Sequence, residues 1–254
     1  MSAARAAGAP LWRSALWLAL LVAVFAVLVG LGTWQVQRLH WKEGLLASID
    51  QRIHSAPLPL ADIERRFAET HDVDYTPVAV AGSFVHEDER HFFATWKGDS
   101  GYYVYTPLRL ADGRYLFVNR GFVPFDRKDP ATRQQGQVEG QVELTGLARN
   151  PLPGKPSSLV PDNDPAKNIF YWKDLAAMTA TSGLPAGAVV LPFFVDAGPA
   201  PNPGGLPVGG VTMVDLPNDH LQYAVTWYGL AGCLVAVAGL WFWRRRHPAA
   251  DGRP

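Results

Sequence analysis

Two uncharged apolar stretches lie near opposite ends of this chain, from Ser14 to Trp34 and from Leu221 to Trp243. A helix needs roughly 20 apolar residues to cross a bilayer core of about 30 Å, so each stretch is long enough to span a membrane. A cleaved signal peptide is the alternative for the first stretch. Signal sequences have apolar runs of only about 7 to 15 residues, however, and Gly32-Thr33-Trp34 lacks the small-x-small pattern of a cleavage site.

Basic residues beside the two stretches predict their orientation. Arg5 and Arg13 precede the first stretch, and an arginine triplet at 244–246 follows the second. The cytoplasmic flanks of membrane spans carry the excess of Lys and Arg, so both termini are predicted to be cytoplasmic. Arg38 and Lys42, just beyond the first stretch, favour the opposite orientation, but the triplet is the stronger signal.

These features predict a membrane protein of α + β class, in which two transmembrane helices flank a β-rich extracytoplasmic domain with a few helices. The lipid bilayer is then its first partner. In chain order we predict a cytoplasmic N-terminus (1–13), a transmembrane helix (14–34), an amphipathic stalk and linker (35–59), the β-rich domain (60–215), a capping motif with the second transmembrane helix (216–243), and a cytoplasmic basic tail (244–254).

Between the spans the pattern changes from helical to β. Apolar residues recur at helical spacing through residues 35–53 without a proline, which predicts that the first helix continues outward until Pro57 and Pro59. Beyond them, segments rich in β-branched and aromatic residues predict an antiparallel sheet or open barrel. We predict strands near 78–85, 91–96, 101–110, 115–118, 141–148 and 188–195, helices at 60–69 and 173–181, and an Asp112-Gly113 hairpin.

Composition excludes several classes of function. The 23 basic and 23 acidic residues leave no net charge to attract nucleic acid, so no nucleic-acid partner is expected. One cysteine, Cys233, and three methionines are too few for a disulfide framework or a typical copper carrier. Common catalytic motifs such as Gly-x-Ser-x-Gly, His-Glu-x-x-His and Cys-x-x-Cys are absent from the sequence, so we predict that the protein is not an enzyme.

Two histidines flank a run of charged residues. His86 and His91 enclose Glu87-Asp88-Glu89-Arg90, and imidazole with carboxylate is a competent metal-ligand set. The alternative is a solvated hairpin turn, which the charge density favours because such clusters normally mark exposed loops.

His220 differs from the other histidines because it lies at the outer end of the second apolar stretch. On a helix, Tyr223, Ala224 and Trp227 share a face with it. An ionisable group at the membrane boundary indicates a functional role, and neutral imidazole is a common axial ligand of haem iron. This face therefore combines an iron ligand with an aromatic wall.

Residues near the outer end of the first stretch extend that hypothesis. Trp34 is placed to close the other side of a haem, and Arg38 and Lys42 to pair with its propionates. The alternative is structural: Asn218 or Asp219 caps the second helix, and the aromatic residues belong to the interfacial belt. Residue chemistry alone leaves both interpretations open and favours the structural one.

Three segments of the sequence resemble the SURF1 family. They are Gly-Thr-Trp-Gln-Val-Gln-Arg-Leu-His-Trp-Lys at 32–42, Val-Asn-Arg-Gly-Phe-Val-Pro at 118–124, and Pro-Asn-Asp-His-Leu-Gln-Tyr-Ala-Val-Thr-Trp-Tyr at 217–228. They occur in the family's order and within its two-span layout, and the resemblance covers nearly the whole chain. The family more often has Asn-Asn-His where this chain has Asn218-Asp219-His220, and Trp where it has Phe122.

The resemblance implies a cytochrome c oxidase assembly factor that receives haem a from haem A synthase and assists its insertion into subunit I. It makes His220 the expected iron ligand, with Tyr223, Trp227, Trp34 and Arg38 as the other candidate haem-binding residues. The alternative is a haem-free scaffold that holds a folding intermediate of subunit I, in which the same residues serve packing.

Residues 119–121, at the centre of the middle segment, predict a strand that ends in a turn. Gly121 can adopt a positive φ, and Pro124 would stop further pairing. The alternative is a salt bridge from Arg120 to a partner subunit.

The length of the N-terminal segment predicts the compartment. Residues 1–13 are too short for a usual mitochondrial transit sequence, so we expect a bacterial inner membrane with the central domain in the periplasm.

Overall fold

The computed structural model describes residues 11–212 and 217–247, which form a helical unit and a β-rich unit. The helix pair consists of the two long terminal helices, up to residue 47 and from residue 217, and the β domain begins at residue 48. The predicted cytoplasmic termini at 1–10 and 248–254, and the boundary between domain and second span at 213–216, lie outside the described residues.

Four helices and seven strands make up the described chain. The helices are α1 (Leu11–Ile53), α2 (Leu60–Thr70), α3 (Leu175–Ala180) and α4 (His220–Arg246). The strands are β1 (Leu58–Pro59), β2 (Thr76–Phe84), β3 (Arg90–Trp96), β4 (Asp99–Arg109), β5 (Tyr115–Pro124), β6 (Gln141–Arg149) and β7 (Val190–Ala197).

Both long helices are long and apolar enough to cross a membrane, as predicted. α1 runs without a break from Leu11 to Ile53, so the predicted stalk is a continuation of the same helix, and Pro57 follows its end. α4 begins at His220 and includes the arginine triplet at 244–246, one turn beyond the predicted end.

The β domain contains one mixed sheet in the order β1-β2-β6-β7-β5-β4-β3. A second pairing, between Ser83–Phe84 of β2 and Leu108–Arg109 of β4, joins the sheet into a closed ring of five strands. Gly82 permits this closure, because a Cβ there would lie 2.4 Å from the carbonyl oxygen of Arg109. The β-rich class is therefore confirmed, and the strands predicted near 91–96, 101–110 and 115–118 correspond to β3, β4 and β5, which pair antiparallel as expected.

Two pairings within the sheet are parallel rather than antiparallel, between β1 and β2 and between β5 and β7. Periodicity identifies strands but not their partners, so the sequence did not predict these pairings. The Asp-Gly hairpin between β4 and β5 is present, with Gly113 at φ +86°.

Helices cover the apolar residues of the sheet. Ile63 of α2 packs on a core that includes Val78, Leu116 and Phe193. Met178 of α3 belongs to a second core of aromatic residues, Tyr105, Phe117, Phe170 and Phe194. β5 contributes to both cores, which explains why nine of its ten residues are buried.

The turn predicted at residues 119–121 is wrong, because β5 continues through it to Pro124. Gly121 has φ +128°, and a Cβ there would lie 2.0 Å from the carbonyl oxygen of Val208, whose backbone pairs with Phe122. Glycine is required by this close approach rather than by a turn. Arg120 is 2% exposed, which also excludes the salt bridge to a partner subunit.

The solvated turn predicted for the charged run is wrong as well, since Asp88, Glu89, Arg90 and His91 are all buried. Glu89 accepts hydrogen bonds from the Arg133 guanidinium and from Nε2 of His91 at 3.0 Å. Burial alone would raise the pKa of Glu89, but these two partners outweigh it and lower the pKa. Among the described residues, no group of three or more His, Cys, Asp or Glu side chains is placed to hold a metal ion.

His86, the first residue of the charged run, is hydrogen-bonded to Arg120. Its Nε2 donates to the carbonyl oxygen of Val138 at 2.8 Å, and its Nδ1 accepts from the Arg120 guanidinium at 3.3 Å. The neutral imidazole satisfies both contacts, whereas a proton on Nδ1 would break the second and place two cations together. Burial, together with the Arg120 charge, accordingly lowers the pKa of His86, and burial lowers the pKa of Arg120 to about 10.

We expect the β domain to lose stability as the pH falls below about 6.5, the ordinary pKa of histidine. The pKa of His86 is lower in the folded protein than in the unfolded chain, so below pH 6.5 the unfolded chain binds more protons. The stability that neutral His86 contributes is therefore complete above pH 6.5 and is lost as the pH falls through the pKa of His86 in the folded protein. The thermal midpoint of the detergent-solubilised protein, measured between pH 7.5 and 5.5, should fall less steeply with pH in His86→Gln. The exposed His54 supplies the control, His54→Gln, and an unchanged slope in His86→Gln would contradict the assignment.

Candidate functional site at the helix pair

Small residues bring α1 and α4 together. Ala224 and Ala231 of α4 are buried, whereas most of the large apolar side chains of both helices are exposed. Gly32 of α1 lies against the ring of Tyr228, and a Cβ at this glycine would be 2.8 Å from Cε1 of the tyrosine. Close approach at small residues is typical of helices that pack within a bilayer, where van der Waals contact and interhelical hydrogen bonds replace the hydrophobic effect.

Polar contacts join the two helices beside these small residues. The Thr33 hydroxyl donates to the carbonyl oxygen of Val29 at 2.9 Å, so in its 3.1 Å contact with Tyr228 the tyrosine hydroxyl is the donor. Further along α1, the Lys42 ammonium donates to the carbonyl oxygen of Pro217, just before α4 begins. The two helices therefore run antiparallel, with polar contacts at the end where α4 starts.

His220 and Gln35 form the central contact of this group. Nδ1 of His220 lies 2.7 Å from Oε1 of Gln35, which is itself buried. An amide oxygen can only accept, so Nδ1 carries the proton and Nε2 keeps its lone pair, for which residues 11–212 and 217–247 provide no hydrogen-bond partner. A hydrogen bond to the distal ring nitrogen is the usual way in which a ligating imidazole is oriented and its tautomer selected.

The predicted side-chain cap of α4 by Asn218 or Asp219 is wrong. Asp219 is the N-cap residue, but its side chain makes no capping hydrogen bond. The neighbouring Asn218 Oδ1 is buried and has no hydrogen-bond partner in the described chain. Neither side chain therefore caps α4 in the described chain.

The other predicted site residues differ in exposure and share no hydrogen bond or ring contact with His220 in the described part of the chain. Tyr223 and Trp34 are 55% and 54% exposed, and Trp227 is half-buried. Arg38 stacks on the ring of Trp41, with its guanidinium carbon 3.8 Å from the ring centre. Among the described residues, no hydrogen bond or ring contact joins Trp34 or Arg38 to His220.

The side chains of His220, the nearby aromatic residues and Arg38 include the kinds of group that bind haem. It offers one imidazole nitrogen with a free lone pair, aromatic rings open to the surroundings, and an exposed guanidinium able to pair with carboxylates. The helix pair supplies these groups on an open surface, which suits a ligand that is bound and then released.

Sequence reasoning missed Gln35, although a signal for it exists. Gln35 lies one turn after Gly32 and immediately follows the apolar run, where an amide without a partner is costly. A small residue and a polar residue also lie about one turn apart at Ala224 and His220, four residues from each other rather than three. Only the antiparallel packing of α1 and α4 shows that the two polar residues meet.

Comparison with known proteins gives a consistent result over most of the chain. The model of the SURF1 family matches residues 22–232. Surfeit locus protein 1 of Homo sapiens is 40% identical over 244 residues, covering 89% of this chain and 76% of that protein. Its Rattus norvegicus counterpart is 41% identical over 235 residues (85% and 72%), and the SURF1-like protein of Drosophila melanogaster is 34% identical over 245 residues (89% and 76%).

We expect Gly32→Leu to force α1 and α4 apart, because its side chain would occupy the space of the Tyr228 ring. Helices packed through larger side chains have axes about 8 to 10 Å apart, so a separation increase of roughly 2 Å is expected near this contact. Gly30→Leu is the matched control, since no atom lies within 4 Å of a Cβ at Gly30.

Pulsed electron paramagnetic resonance would measure this separation. Nitroxide labels at the exposed positions Trp41 and Leu221, in a Cys233→Ala background, report the distance between the two helices. A longer or broader distance in Gly32→Leu than in Gly30→Leu is expected. Identical distributions in the two variants would show that the small residue does not set the packing.

Proposed function

Because the chain belongs to the SURF1 family, we propose that it is a membrane-bound assembly factor for cytochrome c oxidase, which binds haem a and assists its insertion into subunit I. The observation that carries this proposal is the imidazole of His220, oriented by Gln35 so that Nε2 remains free at the outer end of a helix pair. On this proposal the protein carries cargo and is not an enzyme.

The proposed location is a bacterial inner membrane, with both termini in the cytoplasm and the β domain in the periplasm. Two helices long and apolar enough to span a bilayer support membrane insertion. The arginine triplet at 244–246 at the end of α4 supports the orientation, since cytoplasmic flanks are enriched in basic residues. His220, at the other end of α4, is then at the periplasmic boundary.

Haem a is the proposed cargo, and it brings an iron that accepts a nitrogen ligand and carboxylates that attract cations. His220 would supply the nitrogen, and Gln35 would hold the ring by accepting from Nδ1. Trp34, Tyr223 and Trp227 would present aromatic faces to the macrocycle. Arg38 is exposed and adds a positive charge for the carboxylates.

The exposure of these groups favours delivery over permanent storage. Rings of Trp34 and Tyr223 that are more than half exposed can be reached by another protein without unfolding of the helix pair. We propose haem A synthase as the donor of the cargo and subunit I of the oxidase as its acceptor, both encountered at this open surface within the bilayer.

A haem-free scaffold is the second candidate function, and one observation favours it. The contact between His220 and Gln35 belongs to a row of interhelical contacts that includes Thr33 with Tyr228 and Lys42 with Pro217. Such contacts hold membrane helices together without any ligand. The protein would then support an assembly intermediate of subunit I through the surface of the helix pair.

We expect the purified protein, co-produced with the enzymes of haem a synthesis, to contain haem a and to lose at least about nine-tenths of it in His220→Ala, since the iron ligand is removed. Gln35→Ala should weaken haem binding roughly 10- to 100-fold, as loss of an orienting partner typically does. The measurement is the visible absorption spectrum, with identification of the extracted haem.

Thr33→Ala is the matched control, because it removes an interhelical hydrogen bond but no group proposed to act on the haem. It should retain the haem content of the unmodified protein. A colourless protein despite available haem a, or equal haem loss in Thr33→Ala and His220→Ala, would favour the scaffold instead.

A further inference from the structure

A second cleft lies between α1 and α4, at the end of the helix pair remote from His220. Its volume is about 610 Å³, and α1 contributes residues from its first turns while α4 contributes residues from its last turns. All of the lining residues fall outside the matched range 22–232, so the family assignment does not bear on them. The cleft is lined by Arg13, Trp17, Leu21, Leu234, Val237, Ala238, Trp241, Phe242, Arg245 and Arg246.

The rim of this cleft is strongly cationic. Arg13, Arg245 and Arg246 supply its three charges, and no acidic residue lines it. α4 contains no acidic residue, and the first acidic residue of α1, Glu43, is 22 residues beyond Leu21, about 33 Å along a helix. Residues 11–212 and 217–247 form no ion pair with these guanidinium groups, and the summed positive charge favours binding of an anion.

A tryptophan ring holds one of the cationic groups at the rim. The guanidinium of Arg245 stacks on Trp241, with its central carbon 4.1 Å from the ring centre. Stacking uses the face of the guanidinium and leaves its N–H groups free at the edge, where they can donate to phosphate oxygens. Trp and Arg together at one end of a membrane helix are typical of the depth of lipid headgroups.

The inner part of the cleft is apolar. Leu21, Leu234 and Val237 line it, and Ala238 leaves room between the two helices. An occupant must therefore combine an anionic group with a hydrocarbon chain. A phospholipid has this chemistry and this orientation in the bilayer, whereas a haem would find no His, Cys or Met among the lining residues.

We propose that this cleft is a binding site for one anionic phospholipid, with the phosphate at the three arginines and an acyl chain between the helices. Basic pockets between membrane helices on the cytoplasmic side are a recurring form of lipid recognition. The site rests on the proposed membrane insertion and orientation of the helix pair, but not on haem binding or oxidase assembly. Bound lipid would stabilise the pairing of α1 and α4 at the end remote from the interhelical hydrogen bonds of Thr33, Gln35 and Lys42.

The test uses phosphatidylglycerol with brominated acyl chains, which quenches nearby tryptophans, added to the full-length protein in detergent. We expect the quenching to saturate and its amplitude to be smaller in Trp17→Phe. Brominated phosphatidylcholine should bind with an apparent affinity at least about five-fold weaker than that of brominated phosphatidylglycerol. Arg245→Gln and Arg246→Gln should each weaken the affinity for phosphatidylglycerol roughly five-fold, the effect expected for one basic residue near the headgroup.

Arg244→Gln is the matched control, because Arg244 belongs to the same triplet but does not line the cleft. It should bind phosphatidylglycerol like the unmodified protein. Three results would overturn the site in favour of general attraction to charged lipid. They are an equal loss of phosphatidylglycerol affinity in Arg244→Gln and Arg245→Gln, quenching that never saturates, and a quenching amplitude that Trp17→Phe leaves unchanged.

Ala238→Phe tests the apolar part of the cleft, since its side chain would occupy the space of the acyl chain without adding another tryptophan to the fluorescence signal. Quenching of Trp17 should be lost in this variant, and retention would overturn the proposed position of the chain. Resistance of the same variants to carbonate extraction tests membrane insertion separately. A membrane-inserted protein without saturable quenching refutes the lipid site alone, whereas extraction by carbonate refutes the membrane placement on which it rests.

Discussion

A buried amide next to a membrane-spanning run must find a hydrogen-bond partner, and for Gln35 of α1 that partner is His220 of α4. The contact is possible only because Gly32 and Ala224 allow the helices to approach closely on the same face. This 2.7 Å hydrogen bond joins the two helices, orients the imidazole and places its proton on Nδ1. The proposed haem site depends on all three.

The two ends of the helix pair differ in their packing chemistry. Near the start of α4, hydrogen bonds and small residues hold the helices together, as shown by Thr33 and Tyr228. At the other end, the helices enclose a cleft with three arginines at its rim. Charges of one sign repel each other, so an anion bound at the rim would stabilise this end of the helix pair. The proposed haem and lipid sites thus use different physical interactions on one pair of helices.

The β domain shows where sequence patterns succeed and where they fail. Alternating apolar residues located the strands and the Asp-Gly hairpin, because side-chain periodicity and turn chemistry are local properties. The charged run at 86–91 was assigned to solvent, since its burial depends on Arg133, which lies more than forty residues away. Ion pairing and hydrogen bonds offset the cost of burying Glu89, and such compensation is invisible in a local pattern. Gly121 likewise matches the Val208 backbone rather than a turn.

The sequence by itself determined the two candidate spans, the continuous helix through the stalk, the positions of most strands and the importance of His220 as a hypothesis. Each of these follows from hydropathy, periodicity or residue chemistry within a short window. Tertiary structure alone decided the parallel pairing of β5 with β7, the closure of β2 on β4, and the meeting of His220 with Gln35. Those contacts join residues far apart in the chain, and their free energy depends on packing and desolvation that exist only after the elements have come together.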